Sequence, residues 1–485
     1  MRAHWEQIGP IGADQSKTLL PHVECQESSP TSTRSFAMRE HAVAVTLATA
    51  SEVYRHVLRA DRQEDLCFAL YRPFEGGVRW TASIVELVLP QEGEREVHGN
   101  VAFHSAYIRR ALRVAGARGL GLALIHSHPL GAGWQGMSRD DVAAETGHGR
   151  VVLAETGLPL VGITIAGDRA WSARVWWTDR RRKPQRVDCQ LVRVSGTRLA
   201  CTLHPKAVGR ESPLHARTVS FWGASSQRAF ADIRIGIVGL GSVGSIVAES
   251  LARMGARRLT LIDHDTLEPH NLDRTIGARR GDLGDQKVRV AARNVRIAAT
   301  AEDLKVTAVP CRVNDEPGLK ALLDCDVAFS CVDRPVARHT MNRAAFTNFI
   351  PVIDGGILVR FAPQSGKFQG ADWAVHSAAP GRACLLCRGA YDLGDVSLEL
   401  TGLLDDPTYV RGLPAGSSLR ARENVFPLSA AVASFEVLQL ISMISGLMNL
   451  YDLQQQRYSY YPGVVRVTEM NTCRPECPFP ALQYA

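Results

Sequence analysis

Apolar residues between about 43 and 178 come in short dense runs separated by polar turns. Leu66-Cys67-Phe68-Ala69-Leu70 is a continuous apolar run and predicts a buried strand, as does Trp80 to Leu89. Ser51 to Leu58 and Ala102 to Ala115 recur at helical spacing, and Ser51 is a candidate N-cap. Leu120 to Ile125, Val151 to Leu153, Leu160 to Ile165 and Arg174 to Trp177 predict further strands. The pattern implies an α+β unit over residues 42–178.

The grammar changes at Ile233. Strand-like runs (Ile233–Val238, Leu259–Ile262, Lys305–Val309, Val327–Ser330, Val352-Ile353) alternate with helical ones (Ser245–Met254, Gln286–Ala298, Val336–Thr347). Such alternation predicts an α/β unit with a mostly parallel, doubly wound sheet. Residues 179–214 are basic and contain proline, with short strand-like pieces, and are expected as a linker; Arg180-Arg181-Arg182-Lys183 reads as part of its solvated surface. Residues 1–41 are Ser/Thr/Pro-rich and aperiodic, as in a flexible lead-in. Leu428 to Leu450 is apolar but broken by Glu436 and Gln439; it predicts a buried helix rather than a membrane span.

Composition narrows the class. A chain of 485 residues, 45% hydrophobic and 22% charged, has two to three domains' worth of core material. A net charge of +7 is mild at this length and argues for no nucleic-acid partner. The segment after Met1 lacks an apolar stretch of signal-peptide type, so a cytoplasmic location is expected. Eleven cysteines do not make a disulfide framework; four fall in two close pairs, which points to metal in a reducing compartment.

The first chemical motif is Ile125-His126-Ser127-His128-Pro129, followed by Ser138-Arg139-Asp140-Asp141. Two histidines flanking one residue can converge on zinc, an aspartate can supply a third ligand, and water the fourth. Zinc lowers the pKa of such a water to about 7, and a carboxylate is then needed to carry its proton to a leaving amine. This string resembles the JAB/MPN (JAMM) metalloprotease domain over residues 42–178. The resemblance implies that His126, His128 and Asp141 bind a catalytic Zn2+ and that Ser138 steadies the oxyanion. It also implies an acid–base glutamate just before the first buried strand, where Glu64 stands. The stretch between His128 and the aspartate is slightly longer than the family pattern, so Asp140 is a rival ligand.

The second motif is Gly239-Leu240-Gly241-Ser242-Val243-Gly244, between a predicted strand and a predicted helix. Glycines there permit a tight turn and close approach of phosphates to a helix N-terminus. Asp263 follows 24 residues after Gly239, at the end of the next strand, where a ribose would lie. The continuation argues against a nicotinamide cofactor. It runs Asp263-His264-Asp265, then Asn271-Leu272-Asp273-Arg274, then Gln286-Lys287, and later Val332-Asp333. ATP-dependent adenylation needs cations on the triphosphate and a carboxylate to hold Mg2+.

This second string resembles the ThiF/MoeB/ubiquitin-activating superfamily over residues 215–485. The resemblance implies a Rossmann-like adenylation domain in which Gly239, Gly241, Gly244, Asp263 and Asp265 cradle ATP. Asn271, Arg274 and Lys287 would contact phosphates and Asp333 would hold magnesium. It further implies a homodimer, with Arg217 reaching into the partner's site. The family often has Arg-Gln after the Asn-Leu pair, where this chain has Arg274-Thr275. Cys384, Cys387, Cys473 and Cys477 would form a structural Zn2+ site. Residues 388–472 contain no cysteine, so the loop thiol that often accepts the activated acyl group is missing. A separate thiol, or a hydroxyl among Ser397, Thr401, Thr408, Ser417 and Ser418, would have to serve. Cys311, Cys325 and Cys331 are expected as core thiols. The expected partners are a ubiquitin-like or sulfur-carrier β-grasp protein and a conjugating-enzyme-like protein. The same residues also suit two other readings: sulfur-carrier activation, and a scaffold with an inactive domain.

Overall fold

The structure, a computed structural model, describes residues 36–98, 100–179, 181–209, 212–362, 367–413, 424–446, 454–468 and 472–484. Most of the expected flexible lead-in (residues 1–35), Ser417 and Ser418 lie outside the described residues.

The first half is organised by one large sheet. Its early strands are β1 (Glu40–Thr46), β2 (Leu66–Glu75) and β3 (Arg79–Val88). A separate two-stranded ribbon follows, β4 (Arg95–His98) with β5 (Asn100–Phe103). Then come β6 (Gly121–His128), β7 (Leu160–Ala166), β8 (Trp171–Thr178), β9 (Pro184–Asp188), β10 (Leu191–Ser195) and β11 (Leu199–Leu203). The nine strands lie in the order β11-β10-β1-β3-β2-β6-β7-β8-β9. β2 is interior to the sheet and buried on both faces from Leu66 to Tyr71, which is why its sequence is apolar without alternation.

Three expectations need correction. Residues 179–214 are not simply a linker: β9, β10 and β11 lie within them and complete the sheet on both sides. The basic character misleads because Arg193, in the middle of β10, is buried against a carboxylate of the other half. Ser51 is not an N-cap. The helix Leu47–Val57 starts at Thr46, whose hydroxyl accepts from Thr49 N at 3.1 Å. Val151 to Leu153 is not a strand but part of the helix Arg139–Thr156, because a three-residue apolar run has no period of its own.

The second half carries an eight-stranded sheet. Its members are β12 (Arg234–Val238), β13 (Arg258–Ile262), β14 (Lys305–Val309), β15 (Val327–Ser330), β16 (Val352–Phe361), β17 (Phe368–Ala378), β18 (Gln455–Ser459) and β19 (Val464–Thr468). The spatial order β14-β13-β12-β15-β16 is parallel and doubly wound; β17, β18 and β19 continue it antiparallel. One face packs Ile235, Ile237 and Phe329 against the helices Ser242–Arg253, Lys287–Ala298 and Phe426–Ser445. The other packs Val238, Ile262 and Ala328 against the helices Glu316–Leu323 and Pro335–Thr347. The helix Phe426–Ser445 is long and apolar enough to cross a membrane, yet it packs on β16 and β17 and buries Glu436 and Gln439.

Arg39–Ala485 is a single compact unit, and charged residues join its halves. Asp326, just before β15, accepts from Arg79 Nη1 at 2.6 Å, Arg193 Nη1 at 2.9 Å and the Arg234 amide at 2.8 Å. Asp324 accepts from the Arg79 amide at 2.9 Å and fills the space beside Gly76, where a Cβ would strike its carboxylate. Phe349 inserts its ring into the core of the first half, and its carbonyl accepts from Ser195 Oγ at 2.7 Å. These contacts use β10, the turn between β2 and β3, and the residues that lead into β12, β15 and β16.

Candidate active sites

His126 and His128 end β6. Positions two apart on a strand share a face, so both rings point to one side and Ser127 to the other. Ser127 is buried and its Oγ accepts from the Asp65 amide at 3.0 Å, which fixes the start of β2 and with it Glu64. Asp65 itself is buried against Arg95 and, at 3.5 Å, Arg59.

Asp141 lies in the first turn of the helix Arg139–Thr156. Ser138 is the N-cap: its Oγ accepts from the Asp141 amide at 3.0 Å, and Asp141 Oδ2 accepts from the Ser138 amide at 2.9 Å. This capping box turns the Asp141 carboxylate toward the histidines, with Oδ1 3.7 Å from His126 Nε2 and Oδ2 3.7 Å from His128 Nε2. Asp141, and not Asp140, therefore completes the cluster. The longer loop before it is tied down: the Gly133 amide donates to Asp168 at 2.8 Å and the Gln135 amide to Ser172 Oγ at 2.6 Å.

One ligand atom from each of His126, His128 and Asp141 lies within 4.8 Å of the others. Two imidazole nitrogens and one carboxylate oxygen suit zinc with an open fourth position. Burial, then the nearby Arg174 charge, pushes His126 down to about 3, so its ring is neutral. The Asp141 carboxylate raises His128, and His128 holds Asp141 well below the usual carboxylate range. Glu64 is half-buried; burial raises it, with His128 pulling the other way and Asp141 adding to the rise. Thr164, Glu145 and Arg174, behind His126, had no motif to mark them.

The second site is a cleft of about 1730 Å³ at the ends of β12, β13 and β15. Gly239 has φ +85°, a conformation that favours glycine, and a Cβ there would meet the Cys331 carbonyl. Gly244 is pressed against the Gly239 carbonyl. A Cβ at Gly241 meets no protein atom; this glycine faces the open cleft. Asp263 Oδ2 accepts from the Leu240 amide at 2.6 Å and Oδ1 from the Asp265 amide at 2.8 Å, and burial raises its pKa.

Asp265, Asn271, Arg274, Lys287 and Asp333 line the same cleft. Lys287 Nζ lies 2.8 Å from Asp265 Oδ2, and Arg274 Nη1 2.8 Å from Asp273 Oδ1. Asn271 Oδ1 accepts from the Glu268 amide at 3.0 Å. Asp333 is exposed between β15 and the helix Pro335–Thr347. The donor set fits a nucleotide triphosphate and a divalent cation. Arg217 is not brought here; it is exposed on the helix Ala216–Trp222. Among cleft residues without a sequence signal, Arg338 donates from Nε to Asp354 at 3.0 Å. Cys311 lines the cleft instead of filling the core; Cys331 borders the cleft while packing against the core, its thiol facing the buried Glu436, and Cys325 is buried as expected.

Cys384, Cys387, Cys473 and Cys477 bring their sulfurs within 4.8 Å of one another. Cys384 and Cys477 are 3.6 Å apart, too far for a disulfide. Cys473 pushes the Cys384 thiol up, and burial pushes Cys477 up to about 12, so four thiolates here call for a cation. The set suits a structural zinc. The candidate hydroxyls make local bonds: Ser397 Oγ donates to the Leu393 carbonyl at 3.1 Å and Thr401 Oγ1 to that of Leu398 at 3.0 Å.

Residues 215–479 match the ThiF family, more than half of the chain. Among curated proteins, a molybdopterin-synthase adenylyltransferase of Salmonella typhimurium is 30% identical over 132 residues, 27% of this chain and 52% of the relative. The adenylyltransferase and sulfurtransferase MOCS3 of Mus musculus is 25% identical over 255 residues, 53% of this chain and 49% of the relative. The chain thus spans about half the length of these relatives. Of the solved structures, E. coli MccB bound to MccA-N7isoASN has a TM-score of 0.42 and 18% identity, over 56% of this chain and 75% of that one. With the family match over its C-terminal half and a glycine-loop cleft there, this chain belongs to the ThiF family.

Proposed function

We propose that the chain is a bifunctional enzyme acting on a ubiquitin-like or sulfur-carrier β-grasp protein. The C-terminal half adenylates that protein's C-terminal carboxylate with ATP and Mg2+, and the N-terminal half is a zinc (iso)peptidase that trims or removes the same class of modifier. The observation that carries the first activity is the gathering of the glycine loop, Asp263, Arg274, Lys287 and Asp333 in one cleft.

In the adenylation step a carboxylate oxygen attacks the α-phosphorus. The acyl–phosphate bond forms, the α–β phosphoanhydride breaks, and pyrophosphate leaves. Asp263 would orient the ribose, Arg274 and Lys287 would take up charge on the phosphates, and Asp333 would hold the magnesium. Arg217 would act across a homodimer. With no cysteine in residues 388–472, the acyl group would pass to a separate conjugating-enzyme-like protein or to a hydroxyl.

For the N-terminal half, the support is the His126–His128–Asp141 cluster with Ser138 and Glu64 beside it. Bound zinc would supply Lewis acidity. Ser138 would donate to the oxyanion, its Oγ already oriented as a helix cap. Glu64 would carry the proton from the attacking water to the leaving amine as the C–N bond breaks. A cytoplasmic bacterial ubiquitination-like system, of the kind linked to phage defence, is the setting this pairing suits.

The likeness to an adenylyltransferase that is also a sulfurtransferase favours a second reading, sulfur-carrier activation, with the peptidase releasing a carried amino acid. The acceptor separates the two: sulfide or a sulfurtransferase against a conjugating enzyme. Pyrophosphate exchange that depends on a glycine-terminated β-grasp protein is the test. Its absence, with no cleavage by the N-terminal half, favours a scaffold with an inactive domain.

A further inference from the structure

The glycine loop is held from outside its own strand and helix. Ser242 opens the helix Ser242–Arg253 at the wall of the nucleotide cleft. Gly241 before it has no side chain to cap that helix, so the amides of the first turn are left for an anion. Ser242 Oγ accepts from Asn424 Nδ2 at 2.9 Å, across 182 residues of chain. Asn424 lines the same cleft, two residues before the helix Phe426–Ser445. Its Nδ2 also donates to Ser429 Oγ at 2.9 Å, and Ser429 is fully buried on that helix.

A hydroxyl carries one hydrogen and two lone pairs. At Ser242 the Asn424 amide takes a lone pair, and among the described residues no acceptor takes the hydrogen. That hydrogen stays available to a phosphate oxygen arriving at the helix N-terminus. The two bonds from Nδ2 use both of its hydrogens. Ser429 on the core helix thus fixes the amide, and the amide fixes the Ser242 hydroxyl.

Stability alone does not call for this arrangement. The helices Ser242–Arg253 and Phe426–Ser445 already share an apolar cluster, through Val247 and Leu251 on one and Val432 and Leu440 on the other. Asn424 Oδ1, moreover, is buried with no hydrogen-bond partner. An unpaired buried oxygen is destabilising, and a native structure that keeps one invites a reason.

We propose that Asn424 is a positioning residue for ATP, one that holds the Ser242 hydroxyl with its hydrogen directed at a phosphate. This rests on the adenylation reading of the cleft and adds to it a residue that lies outside the glycine motif.

The test is calorimetric titration of the full chain with ATP and Mg2+, without any carrier protein, and with adenosine as a competitor. Ser242→Ala should weaken ATP by about tenfold or more, as expected for a lost hydrogen bond to a charged group. Asn424→Ala should weaken it by about threefold to tenfold. Adenosine has no phosphate and should keep its affinity within about twofold in both variants. With Ser242→Ala and Asn424→Ala combined, the loss should equal that of Ser242→Ala alone, since the amide acts through the hydroxyl. Asn424→Leu fills the space without the donor and takes the place of Asn424→Ala should that variant fail to fold. Wild-type ATP affinity in the Asn424 variant overturns the proposal and leaves the adenylation reading standing. So do losses that multiply in the combined variant, and so does an equal loss for adenosine, which marks a general disturbance of the cleft. If the wild type shows no magnesium-dependent binding of ATP, the adenylation reading itself is refuted, and the proposal with it.

Discussion

The two sites of this chain are built on different scales. The histidine cluster takes its three side chains from the end of β6 and the first turn of the next helix, with one nitrogen or oxygen of each within 4.8 Å of the others. The nucleotide cleft takes its groups from the ends of three strands and several loops, spread around about 1730 Å³. A single ion needs a few atoms at short fixed distances, which a strand end and a helix cap can supply. A nucleotide meeting a protein tail needs a long groove, which the end of a parallel sheet supplies. The small site depends on buried neighbours for its shape, the large one on backbone turns.

The largest effects should come from removing one group at each site. Asp333→Ala should lower pyrophosphate exchange by about 10²–10³-fold or more and leave both classes of zinc site intact. His128→Ala should abolish cleavage and leave exchange unchanged. Cross-effects in either direction would mean that the sites are coupled through the shared body.

Next in size is the join between the halves. Asp326→Asn leaves the buried Arg79 and Arg193 without their carboxylate and should cost about 3–5 kcal/mol in urea unfolding, with a single transition for both halves. Against the cost of burial, Arg79 and then Arg193 hold Asp326 below its ordinary value. A depressed carboxylate stabilises the fold above its unfolded pKa, about 3.9, and this stability is lost as pH falls through the folded value. Acid should therefore narrow the difference between wild type and Asp326→Asn, measured as the urea midpoint from neutral pH down to about 3. Two separate transitions in the wild type at neutral pH would contradict the single unit.

The smallest effects distinguish the glycines. Gly239→Ala forces a side chain into φ +85° and against Cys331, and should destabilise by more than about 1 kcal/mol. Gly241→Ala meets no protein atom and should shift stability by less than about 0.5 kcal/mol while weakening ATP binding. Calorimetric melts with and without ATP read both.

The same contrast explains what could be read from the amino-acid order. His126, His128, Ser138 and Asp141 lie close in sequence because the site is local; only the choice between Asp140 and Asp141 awaited the helix cap. Thr164, Arg174 and Glu145 meet through strand pairing and helix packing, which leave no spacing to find. The glycine loop and the residues after Asp263 are legible because parallel strands deliver them to one edge. Arg338, Cys311 and Cys331 arrive there by sheet order alone. The strand-like pieces of residues 184–203 read as a linker and not as part of the sheet because the charge of Arg193 is neutralised by Asp326, a partner 133 residues away.

The most direct measurement is intact-mass spectrometry of a glycine-terminated β-grasp protein incubated with this chain, ATP and Mg2+. The account predicts an AMP adduct on the carrier that needs its free C-terminus and disappears with Asp333→Ala. ATP turnover in which the AMP never appears on the carrier, or an adduct that survives Asp333→Ala, would contradict it.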